Sequence, residues 1–234
     1  MTWLLDLTPD EWNAVQLSIK VATVAMLFSL PPGILIALLL ARGRFWGKGF
    51  INGLVHLPLV LPPVVTGYLL LLSFGRNGPA GAFFEHWFGI VFSFRWTGAA
   101  LACGIMGFPL MVRAIRLSIE GVDRKLEAAA GTLGAHPVLV FATVTLPLTL
   151  PGIIAGAILS FAKAMGEFGA TITFVSNIPN ETQTLPSAIY TLTQVPGGDA
   201  GALRLTLISV IISMVALIAS EALARRAGKR LDSE

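Results

Sequence analysis

The chain has 234 residues, 55% of them hydrophobic and 12% charged. Soluble domains carry about 25% charged residues, so most of this protein is excluded from water-soluble folds and any soluble part is small. Its one cysteine, Cys103, excludes an internal disulfide and a thiolate-cluster metal site.

Five apolar runs, near 14–41, 50–74, 96–118, 147–175 and 203–224, approach or exceed the ~20 residues that cross hydrocarbon. They predict an all-α membrane protein: one domain over 1–234, a bundle of about five transmembrane helices. The leading segment, MTWLLDLTPDEW, has no Lys or Arg and carries Asp6, Asp10 and Glu11. A signal peptide begins with positive charge, so the first span is expected to be retained. The net charge of +3 is unevenly placed. Eleven basic residues fall on one side of a five-span arrangement: Arg42, Arg44, Lys48, Arg113, Arg116, Arg124, Lys125, Arg225, Arg226, Lys229 and Arg230. Only Arg76, Arg95 and Arg204 fall on the other. The positive-inside rule then puts the N-terminus outside and the C-terminus in the cytoplasm. Topology accounts for the basic excess, and no nucleic-acid partner is implied.

In the first span, Lys20 reads as a side chain snorkelling to the outer interface. Pro31-Pro32 is expected to kink the helix, since each proline removes a backbone donor. The second span contains Pro58, Pro62, Pro63 and Gly67. In hydrocarbon every freed carbonyl needs a partner, so two readings stay open. One is a kinked packing helix. The other is a pathway helix that exposes backbone groups and Thr66 to a permeating solute. Residues 75–95 read as an outer loop with a Gly/Pro turn and interfacial aromatics. The third span carries Gly104, Gly107 and Pro109 and ends at Arg113 and Arg116.

The connection 119–146 is far longer than a turn between spans requires. Ser118, Glu120 and Asp123 precede RKLEAAAGTL, built from good helix formers. Gly131 and Gly134 are expected to weaken and end that helix, and His136-Pro137 to force a turn. A second helical piece should then lead into Pro147, a suitable first-turn residue. A short helix is marginal alone, so this one needs a surface. That surface is either the lipid face or a cytoplasmic partner protein.

The fourth span holds Gly152-x-x-x-Gly156, a close-packing spacing that has little weight among 24 glycines. Lys163 and Glu167 share a helix face. Either they form an ion pair near the outer surface or they are a functional intramembrane pair. Segment 176–202 is expected outside, with Leu185, Ile189 and Leu192 on one face of a short helix lying on the outer surface. The residues after Glu221 read as a basic anchor with no room for a regulatory domain.

The stretch Glu127-Ala128-Ala129-Ala130-Gly131-Thr132-Leu133-Gly134, followed after nine residues by Val144-Thr145-Leu146-Pro147, resembles the cytoplasmic signature of ABC importer permeases. The glycine-to-Leu-Pro spacing matches, with Val for Ile, while the glutamate stands one residue upstream of its usual place. Wider similarity covers most of the chain: 57–79 (LPLVLPPVVTGYLLLLSFGRNGP), 132–171 and 184–190 (TLPSAIY). It points to the molybdate branch of these permeases, with its sulfate relatives.

The resemblance implies a coupling helix that seats in an ATPase subunit, at Glu127, Ala128, Ala129, Gly131, Gly134, His136, Pro137, Leu146 and Pro147. It also implies a homodimer with the pathway between the copies, two cytoplasmic ABC ATPase subunits, and an external molybdate-binding protein. ATP and Mg would sit on the ATPase, with no cofactor in this chain, and tungstate would be carried too. The expected location is the cytoplasmic (inner) membrane. Pro58, Pro62, Pro63, Thr66 and Gly67 are candidate pathway residues. Glu167, Phe168, Pro186 and Tyr190 are candidates for a gate or binding-protein contact, because a carboxylate would repel a dianion. Two other classes fit less well. A membrane enzyme lacks support, since His56, His86 and His136 are scattered and no HExxH occurs. An ATP-independent channel or carrier would need more intramembrane charges for ion coupling.

Overall fold

The computed structural model describes residues 7–231, and its regular elements there are all helical. Residues 1–6, including Asp6, and the last three residues lie outside the described range, as do the side chains of the basic residues from Arg225 to Arg230. Helix α1 spans Pro9–Arg42, α2 Lys48–Val60, α3 Pro63–Phe74, α4 Pro79–Phe88 and α5 Trp96–Gly121. Then come α6 Arg124–Thr132, α7 Pro137–Val140, a π turn over Phe141–Thr145, and α8 Leu146–Met165. Helices α9 Gly169–Val175, α10 Leu185–Thr193 and α11 Asp199–Leu231 complete the described residues.

Helix α5 is the axis. It packs against α1 and α8 through small side chains, among them Ala22 and Ala25 on α1, Ala99, Ala102 and Cys103 on α5, and Ala164 on α8. Lipid gives apolar side chains no reason to leave it, so close backbone approach must supply the attraction. The Gly152–Gly156 pair does this between α8 and α5. A Cβ on Gly152 would stand 2.2 Å from the Ser118 Cβ, and one on Gly156 would stand 3.0 Å from the Met111 carbonyl. The spacing given little weight in the sequence is therefore a packing device.

Among the described residues four helices are long and apolar enough to cross a membrane, and α2 with α3 makes a fifth candidate bent by 113°. Polar contacts sort their ends. At one end Glu11 accepts from Arg204 at 2.7 and 2.8 Å, Lys20 lies 3.7 Å from the centre of the Trp96 ring, and Arg95 meets Glu181 at 3.5 Å. At the opposite end Arg42 meets Glu127 and the Val122 carbonyl, each at 3.0 Å. Helix α1 thus leaves the first end and α5 starts there again, so the bent pair α2–α3 carries the chain back and serves as one crossing.

Helix α1 continues as one helix through Pro31 and Pro32. Both rings are exposed, while the neighbouring Gly33 is pressed against Met111 and holds the helix on α5. Lys20 is exposed and rests over the Trp96 indole, a cation–π contact. Helix α10 packs the expected face, Leu185, Ile189 and Leu192, on the core. Leu185 is fully buried, and its N–H donates to Ser18 Oγ at 2.6 Å. Two expectations need correction. The expected loop at 75–95 contains α4, whose Phe84 packs with Phe74 and Phe92. The fourth run is two helices, α8 and α9, parted at Gly166–Phe168.

Candidate coupling site and pathway elements

The connection after α5 folds as a helix, a bend and a second helix. Asp123 caps α6 by accepting from the Lys125 N–H at 2.9 Å. Ala128, Ala129 and Gly131 all lie inside α6, so Gly131 does not end it. The turn belongs to Gly134, whose φ of +86° is open to glycine and costly for other residues. His136 Nδ1 then accepts from the Val138 N–H at 3.4 Å, with Pro137 at the first position of α7. The second piece is not separate from the span. Residues Pro137–Met165 form one rod, with the π turn inside it and Leu146-Pro147 opening its α8 part. The tip is apolar yet uncovered: Leu133 is 88% exposed, and Leu126, Val138 and Leu139 are also exposed.

One carboxylate oxygen organises this end. Glu127 Oε1 accepts from Arg42 Nη2 at 3.0 Å, from Arg42 Nε at 3.3 Å and from Thr145 Oγ1 at 2.8 Å. Arg42 and Thr145 were not singled out by sequence reasoning. Arg42 closes α1 and Thr145 closes the π turn, and no local pattern links positions 85 apart.

The second cluster lies at the α8–α9 break. Glu167, 2% exposed, accepts from Lys163 Nζ and, through Oε1, from the Ala170 N–H at 3.0 Å. The ion pair expected at Lys163–Glu167 is present, but its carboxylate is buried. Phe168 lies against Tyr190, with ring centres 5.3 Å apart and the planes tilted by 41°. Tyr190 is exposed, and Pro186 is half-buried in the first turn of α10.

The candidate pathway residues Pro63 and Gly67 pack against Gly169 and Ala170, which directly follow the gate candidates Glu167 and Phe168. A Cβ on Gly67 would stand 2.5 Å from the Ala170 carbonyl, and one on Gly169 would stand 2.7 Å from Pro63 Cβ. Thr66 is buried, and its hydroxyl has no hydrogen-bond partner among the described residues. Gly67 draws α3 so close to α9 that its neighbour Thr66 is covered as well. Pro62 and Pro63 are exposed at the bend, and Pro58 lies half-buried in α2. A groove of about 740 Å³ between α1, α2 and α5, lined by Phe28, Leu54, Phe92 and Trp96 among others, is almost wholly apolar and unsuited to an oxyanion. Among the described residues no three metal-ligating side chains come together.

Comparison with known proteins decides the family. A family model described as "Binding-protein-dependent transport system inner membrane component" matches residues 33–229. The chain belongs to this family. It is accordingly a multi-pass inner-membrane permease component of a transport system, not the system's ATPase. Within the family it is 62% identical over 224 residues to the molybdenum transport system permease protein ModB of Escherichia coli (strain K12), covering 96% of this chain and 98% of that one. The protein of the same name from Haemophilus influenzae is 55% identical, over 94% and 96% of the two chains. The fold is shared with a bacterial ABC transporter involved in alginate import: TM-score 0.73 at 17% identity, covering 95% of this chain and 81% of that one.

Proposed function

We propose that this chain is the permease subunit of an ATP-driven importer that takes molybdate, and tungstate with it, into the cytoplasm. The observation that carries the substrate is the 62% identity to the molybdenum permease of Escherichia coli over nearly the whole of both chains. Two copies enclose the pathway, with N-termini outside and C-termini inside. Two ABC ATPase subunits grip the tips around Gly134, where exposed Leu133, Val138 and Leu139 offer the apolar surface that a protein cleft covers. An external binding protein delivers the anion to the opposite end. ATP with Mg on the ATPase closes the pair, and the spans rock between outward and inward states. Solute and nucleotide must bias the same equilibrium for transport to be coupled. The bend at Pro62–Pro63 belongs to the pathway, and the Glu167–Phe168 break against α3 acts as its gate.

The test is reconstitution of the chain with its ATPase and binding protein in liposomes. ATP-dependent uptake of molybdate is expected, competed by tungstate and weakly by sulfate. Uptake without ATP, or sulfate preferred over molybdate, overturns the reading.

A further inference from the structure

We infer that Glu127, Arg42 and Thr145 form a clamp that fastens the coupling loop to the end of α1 and to the foot of the α8 rod. A pull on the loop then moves both spans together. The inference rests on the importer reading above. Its structural ground is the convergence of three donor atoms from two other elements on one Glu127 oxygen. Arg42 Nη2 also holds the Val122 carbonyl at 3.0 Å, so the guanidinium binds both the end of α5 and α6. The side chains of Arg42 and Glu127 are only 18% and 20% exposed. Partial burial of a charged hydrogen bond strengthens it and limits screening.

The register of the motif explains why this carboxylate faces inward. One residue along a helix turns a side chain by about 100°. The residue at the signature's usual glutamate position is Ala128, which is exposed, whereas Glu127 one step earlier is half-buried. The offset therefore takes the carboxylate off the face that a partner could touch and points it at the chain's own helices. Glu127 is a positioning residue here: it acts on transport through Arg42 and Thr145.

The experiment measures molybdate imported per ATP hydrolysed by the complete transporter in liposomes. Arg42→Gln is expected to lower this ratio about tenfold, the scale of one lost charged hydrogen bond. Thr145→Val keeps shape and removes one hydroxyl; a fall of roughly threefold is expected. The reversed pair Arg42→Glu with Glu127→Arg restores the ion pair but not the bond to the Val122 carbonyl, so it should recover part of the ratio, while either reversal alone should recover none. A purely architectural role would change the amount of assembled transporter and leave the ratio alone. If Arg42→Gln does not assemble, Thr145→Val decides. An unchanged ratio in the variants that assemble, or a reversed pair no better than its singles, overturns the clamp. A wild-type transporter that moves no molybdate would instead overturn the importer reading.

Discussion

Two spans of this protein are broken, and they are broken by different chemistry. Between α2 and α3 the chain uses prolines: Pro62 and Pro63 carry no N–H, so the sharp bend creates no orphan donor at either position. Between α8 and α9 the donor is present and is met by a buried carboxylate, since Glu167 takes the Ala170 N–H and the Lys163 ammonium together. A helix can be interrupted in hydrocarbon either by deleting donors or by supplying an acceptor. The first solution leaves its residues exposed. The second buries a carboxylate and makes the site sensitive to each group that the carboxylate holds.

The largest effect should come from Glu167→Ala. It orphans the Ala170 N–H and a Lys163 ammonium, and a cost of about 3–5 kcal/mol is expected, read as a lower Tm in detergent. An unchanged Tm would mean that packing alone holds the second break. Next is Gly67→Val, which drives a methyl-bearing carbon into the Ala170 carbonyl. A loss of ~1–3 kcal/mol with reduced uptake is expected, and wild-type stability would separate the two breaks that the structure joins. A third interruption, in water, depends only on backbone geometry. Gly134→Val, with nothing within 4 Å of the new carbon, is expected to cost about 1–2 kcal/mol of local strain. Membrane insertion should persist while ATP hydrolysis runs without uptake. The smallest effect belongs to Thr66→Val, which removes a hydroxyl with no partner among the described residues. Stability should change by less than ~1 kcal/mol. Should uptake nonetheless collapse, the hydroxyl meets solute in another state of the cycle.

The first and third interruptions were legible in sequence because their chemistry is local. Prolines at 58, 62 and 63 announce a broken helix, and Asp123, Gly134 and Pro137 spell out cap, turn and restart. The second was not anticipated. Gly166-Glu167-Phe168-Gly169 sits inside an apolar run that reads in sequence as one continuous helix. Helix α4 was masked by glycines and a proline that serve as its ends: Pro79 opens it and Gly89, at φ +65°, closes it. The Gly152–Gly156 contact could not be told from chance until α5 was found against it. Arg42 and Thr145 were out of reach for another reason. Each is ordinary where it stands, and they meet Glu127 only once the ends of α1, α6 and the π turn have been brought to one place.

The π turn at Phe141–Thr145 gives the long rod two headings. Its bonds reach five residues back instead of four, so side chains above and below it fall out of step. Val138 and Leu139 face outward at the tip, while Thr145 and Thr149 are sunk into the molecule. A rod of uniform winding would tie these directions to each other. Here the grip of the tip and the seat of the shaft can be set separately along one stretch of backbone.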